Sequence, residues 1–196
     1  MRALARGMGV PAHTARLLRL PMKLVESLSP NNAAAFFGRG NIYAAKKDYR
    51  KCIDDFSEAI RLNPNSPWAF DCRGLAYAAT KNYDKAIIDC TEAVRLDPNQ
   101  VNATNVLAWL LATCPKDGMR DGKRAVELAT GACKSTQWKT AHCLETLAAA
   151  YAECGNFKEA IKWQEKAIDL GTWDKDKGQK RLKLYQNGKA YRDETP

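Results

Sequence analysis

Residues 33–66 and 67–100 align on each other without a gap, and this 34-residue self-similarity constrains the chain more than any other feature. Gly40 falls on Gly74, Tyr43 on Tyr77, Tyr49 on Tyr83, Cys52 on Ala86 and Phe56 on Cys90. Ala59 falls on Ala93, and Asn63-Pro64-Asn65 on Asp97-Pro98-Asn99. A unit this short cannot bury its own apolar side, so it must stack on further copies. Each column then has a physical cause. A mid-helix glycine costs about 1 kcal/mol relative to alanine, and Gly40 and Gly74 offset that by letting a partner helix approach closely. Ala59 and Ala93 allow the same from the second helix, while Tyr43, Phe56 and Tyr77 fill the space between layers. Pro64 and Pro98 stop the second helix and start a turn. Apolar spacing of three and four (Ile53, Phe56, Ile60; Ile87, Cys90, Val94) predicts helices over 33–46, 49–62, 67–80 and 83–96.

The pattern continues with changes. Tyr151, Phe157, Ala160 and Ala167 repeat the spacing of Tyr43, Tyr49, Cys52 and Ala59, with Ala148 in the glycine column, which gives a unit at 141–174. Between them, over 101–140, Ala108 takes the glycine column and Leu111 the tyrosine column on a helix at 101–113. Ala125, Ala129 and Ala132 fit its second helix only if five residues are inserted, within 114–121, where Pro115, Asp117-Gly118 and Asp121-Gly122 mark turns.

These columns (Phe36 or Phe70, then Gly, Tyr, small, aromatic or small, Ala, Pro) resemble the tetratricopeptide-repeat (TPR) family. The stretch 105–170, with LAWLLATCP, RDGKRAVELA and TLAAAYAECGNFKEAIKWQEKAI, resembles a TPR variety associated with bacterial proteins. The resemblance implies an all-α solenoid of helical hairpins in a right-handed superhelix, with about four repeats plus capping helices. Pro30 stands 34 residues before Pro64, with Leu18, Met22 and Val25 in core columns. Residues 14–30 therefore read as the second helix of a degenerate leading repeat, capping the array within a basic leader at 1–32. Residues 175–196 read as a capping helix at 175–187 followed by a polar tail.

The formal charge of +9 is unevenly placed. Five basic residues and one acidic lie in 1–32, and seven basic and three acidic in 175–196, so the middle is nearly neutral. A nucleic acid or anionic surface bound by these basic ends is the alternative function, and no continuous basic track supports it. Seven cysteines at scattered positions without a CxxC pair signal neither a disulfide framework nor a metal site. They read as small apolar core residues in a reducing cytoplasm. The run Arg2, Arg6, Arg16, Arg19, Lys23 offers organelle targeting as the alternative. No apolar stretch reaches the ~18 residues of a membrane span.

No phosphate loop, HExxH, GxSxG or kinase signature occurs, and His13 and His142 lack partners at catalytic spacing. No enzyme activity, cofactor or metal is expected. Asp54, Asp55, Glu58, Asp89 and Glu92 read as solvated helix charges. The resemblance instead implies binding of a peptide or helix in a concave groove lined by the first helix of each repeat. Offsets from the glycine column place Phe37, Asn41, Trp68, Asp71, Asn105, Trp109, His142 and Glu145 there, with Ala44, Ala78, Ala112 and Ala152 keeping the floor shallow. Large aromatics among polar neighbours suit a binding hot spot. Trp109 could instead pack under the 114–121 insertion. TPR domains that bind acidic chaperone tails use a clamp of Lys, Asn and Arg. Its positions here hold Phe37, Asn41, Cys72, Asn102 and Val106, or Asp71, Leu75, Val106, His142 and Thr146, where only Asn41 matches. A groove without Lys or Arg lacks the charge-assisted bonds a carboxylate needs, so that partner is disfavoured and the expected one is another protein.

Overall fold

A computed structural model describes residues 31–172 and 174–193, and every regular element within them is a helix. The expected leading half-repeat at 14–30 lies outside the described residues. The helices are α1 (Ala33–Ala45), α2 (Tyr49–Leu62), α3 (Pro67–Ala79), α4 (Tyr83–Leu96), α5 (Val101–Thr113), α6 (Gly122–Ser135), α7 (Ala141–Glu153), α8 (Phe157–Asp169) and α9 (Lys175–Gln186). The starts follow from side-chain caps. Asn32, Asp48, Ser66, Asp121, Asn156 and Asp174 each accept a backbone N–H of the first turn of α1, α2, α3, α6, α8 and α9. Pro67 occupies the first turn of α3, where its missing N–H costs nothing. The chain divides into two compact units between Pro98 and Asn99.

In the first unit α1 packs on α2, α2 on α3 and α3 on α4. The glycine columns work by close approach. A Cβ on Gly40 would lie 2.8 Å from Phe56 Cε1, and one on Gly74 2.8 Å from Cys90 Sγ. Phe56 and Cys90 are fully buried. The turn between first and second helix passes through a left-handed residue, Lys47 (φ 63°) and Lys81 (φ 60°).

Two carboxylates expected in solvent are instead buried. Asp55 and Asp89 are 5% and 3% exposed. Asp55 takes a bidentate pair of bonds from Arg39 at 2.8 and 2.7 Å, and Asp89 takes one from Arg73 at 2.7 and 2.9 Å. The expectation failed because it looked for partners along one helix, whereas these bonds join the two helices of a hairpin, 16 residues apart. Arg73 also donates to Ser57 Oγ at 3.0 Å, tying α3 to α2 of the preceding repeat.

In the second unit α5 packs on α6, α7 on α5, α6 and α8, and α9 on α8. The core joins Ala108, Ala129, Ala132, Cys133, Leu144, Leu147 and Ala167, with Trp138 and Trp163 stacked beside it at 4.8 Å. The inserted segment between α5 and α6 is pinned by Arg120, which donates to Cys114 O at 2.8 Å and to Glu153 Oε1 at 2.9 Å, and pairs with Asp117. The left-handed turn between α7 and α8 falls on Gly155 (φ 75°).

Candidate functional site: the first-helix faces and the strap across one of them

In the first unit, α1 and α3 carry four of the sequence-predicted residues. Phe37 turns toward the core, its ring 5.5 Å from that of Phe56. Asn41 is 8% exposed, and its Oδ1 accepts a weak bond from Cys72 Sγ at 3.9 Å. Asp71 is 1% exposed; burial, reinforced by the Asp71 carboxylate, holds the Cys72 and Cys90 thiols well above the usual range. Trp68 is half-buried at the start of α3. The face therefore offers the half-buried Trp68 and Phe37, over a floor containing a buried amide and a buried carboxylate.

In the second unit, α5 carries Asn105 and Trp109, and α7 carries His142 and Glu145. Asn105 is 8% exposed, and its Oδ1 meets no acceptor-seeking group among the described residues. His142 is half-buried, and burial holds its imidazole below the ordinary histidine value. Glu145 pairs with Arg181 of α9, with side chains 12% and 9% exposed. Burial raises the Glu145 carboxyl, and the Arg181 guanidinium pulls it back.

Of the expected polar tail, the described residues 190–193 are half-buried against the unit. Gly188 (φ 65°) reverses the chain, and residues 188–193, here termed the strap, run back over α7 and α5. The Asp193 N–H donates to Thr113 O at 2.9 Å, and the Trp109 indole Nε1–H donates to Asp193 Oδ2 at 2.9 Å. The Tyr191 ring lies 5.8 Å from that of Trp109, and the Arg181 guanidinium lies over both rings, at 5.6 and 5.8 Å. Arg192 pairs with Glu153 Oε2 at 2.7 Å. Beneath, Tyr185 is fully buried against Ala148, Ala152 and Ala160, alongside Ala190 and Tyr191. Burial pushes its phenol well above the usual range.

Trp109 thus meets the strap and Arg181, rather than standing bare. The shallow floor expected at Ala152 is what lets Tyr185 seat there. Sequence reasoning missed Arg181, Tyr191, Arg192 and Asp193. The one available signal was two tyrosines, 185 and 191, among otherwise basic residues. No group of three or more His, Cys, Asp or Glu side chains able to hold a metal occurs among the described residues. No described helix is long and apolar enough to cross a membrane.

Tetratricopeptide-repeat profiles match residues 33–66, 67–100 and 140–171. No curated protein sequence matches the chain. Among solved structures, the fold is similar to MamA residues 41 to the end from Desulfovibrio magneticus RS-1, with a TM-score of 0.67 and 18% identity over 79% of this chain and 84% of that one. It is similar to YrrB, a TPR protein with an unusual peptide-binding site, with a TM-score of 0.64 and 24% identity over 81% and 78% of the two chains. A second MamA structure aligns with a TM-score of 0.65 at 20% identity, over 83% and 89%. At such identities the likeness speaks to the fold. With three matched repeats, the glycine and alanine columns in close contact and an all-helical architecture, the chain belongs to the tetratricopeptide-repeat family.

Proposed function

We propose that this chain is a non-catalytic protein-interaction scaffold whose first-helix faces take an extended peptide or a helix of another protein. One observation carries the reading. The α5–α7 face already accommodates a segment without regular structure, 188–193, through an indole N–H, a backbone carbonyl and a carboxylate. Those are the contacts by which a helical surface holds a peptide without a sheet edge. The relation to YrrB, which has a peptide-binding site, points the same way. On the first unit Trp68 and Phe37 are the anchors, with Asn41 and Asp71 as buried polar floor. On the second, Trp109, Glu145, Asn105 and His142 take the corresponding roles. The alternative of an acidic partner loses ground because Arg181 and Arg192 are taken up by Glu145 and Glu153.

The test is affinity capture from lysate with the wild-type chain and Trp68→Ala side by side, followed by mass spectrometry. Truncating a half-buried aromatic anchor removes the partner while the thermal midpoint stays close to wild type. A partner retained at full yield by Trp68→Ala overturns the assignment of the first-unit face.

A further inference from the structure

We infer that the strap holds the place of a ligand: the α5–α7 face is a docking site for an extended segment carrying an aromatic residue, then a basic one, then a carboxylate. Residues 188–193 occupy it in cis. The inference rests on the reading of first-helix faces as peptide-binding surfaces and specifies it.

Three complementary positions define the chemistry. Trp109 supplies a ring face for an aromatic and, through Nε1–H, a donor for a carboxylate. Glu153, 15% exposed and already bonded to Arg120, supplies the acceptor for a guanidinium. Thr113 O accepts a backbone N–H, fixing the register of whatever lies across it. Tyr191, Arg192 and Asp193 satisfy these positions in order.

The strap and α9 differ in how they are held. Tyr185 and Arg181 of α9 are 0% and 7% exposed, so α9 is part of the core. Residues 190–193 are half-buried and Lys189 is exposed, without regular structure. Once past the bonds of Gly188 N–H and Lys189 N–H that close α9, the strap returns to the unit through the backbone bond that Asp193 N–H donates to Thr113 O and through the side chains of Tyr191, Arg192 and Asp193. Gly188, in a left-handed conformation and 3.9 Å from the Phe157 ring where a Cβ would stand, is the pivot. A segment so tethered competes at an effective concentration in the millimolar range. The face therefore yields to a partner that binds better than the strap and stays closed to weaker ones.

The probe is a fluorescein-labelled peptide with the sequence of residues 187–193, NGKAYRD, read by fluorescence anisotropy. It is titrated up to about millimolar concentration against the unaltered chain and against Tyr191→Ala/Arg192→Ala/Asp193→Ala in the full chain. Circular dichroism and thermal melting report the fold of each. The triple variant binds the peptide at least ~10-fold more tightly than the unaltered chain, and Arg192→Ala alone, whose side chain is 30% exposed, falls between them. Adding Trp109→Ala to the triple variant abolishes binding, as does replacing Tyr and Arg by Ala in the peptide. Equal affinity for the unaltered and triple-variant chains, equal binding of the alanine peptide, or no binding to a folded triple variant each overturns the inference. If the peptide fails while Trp68→Ala still loses its partner, the strap assignment falls and the groove reading stands.

Discussion

The two units are built on the same columns and fill them with opposite chemistry. In the first, the residue before the glycine and the one fifteen after it are Arg39 with Asp55, and Arg73 with Asp89, joined as buried ion pairs. In the second, allowing for the insertion, the same columns hold Leu107 with Leu128, and Leu147 with Trp163. Leu107 and Leu147 are essentially unexposed, and Leu128 and Trp163 pack on one apolar cluster. The hairpin accepts either solution provided both ends agree, because a matched pair of charges and a matched pair of hydrocarbons stabilise to similar degrees. The column of close approach obeys the same logic. Glycine is required where Phe56 or Cys90 faces it, whereas Ala108 stands where the facing column holds Ala129.

The sharpest way to break this comparison is to leave one end unmatched. Arg73→Leu strands the Asp89 carboxylate at 3% exposure and costs about 3 kcal/mol in urea unfolding, the low end for a broken buried pair because Arg73 retains some solvent contact. Arg73→Leu/Asp89→Leu, which copies the second unit, returns to within about 1 kcal/mol of wild type. Equal losses in the single and double variants defeat the equivalence. Next in size is Gly40→Ala, which pushes a methyl into the Phe56 ring and costs about 2 kcal/mol by overpacking. Phe56→Leu in the same chain recovers part of it. A smaller effect distinguishes the turns: Lys47→Gly, matching Gly155, stabilises by about 0.5 kcal/mol as left-handed strain is relieved. Gly155→Lys destabilises correspondingly. The smallest is electrostatic. Burial lowers the folded-state pKa of His142, so the unfolded chain takes up the proton first. Stability present above about pH 6.5 is lost as pH falls through the histidine range. His142→Gln flattens that stretch of the stability–pH curve; an unchanged slope excludes His142 as its source.

Helix boundaries and the stacking of hairpins were legible because the 34-residue period repeats Gly, Tyr, Ala and Pro at positions where sterics leave no alternative. The burial of Asp55 and Asp89 was hidden, since a carboxylate three or four residues from a base on its own helix looks solvated. The clue lay in Arg39/Arg73 and Asp55/Asp89 recurring together at the same period. The groove residues could be placed on helices but not graded by exposure. Asn41, Asp71 and Asn105 are buried whereas Trp68 and His142 are half-buried. The strap had no periodic signal at all. Tyr191 and Asp193 gain meaning only from Trp109, 84 residues before Asp193.

That separation has a kinetic side. Packing in a repeat array is between neighbours in sequence, so each hairpin of the first unit closes through local encounters and can open as a local event. The bond that Trp109 donates to Asp193 is the exception: it ties the segment after α9 to α5. Amide hydrogen exchange in α5, α7 and α8 should then converge on one common opening free energy, while α1 through α4 show a gradient.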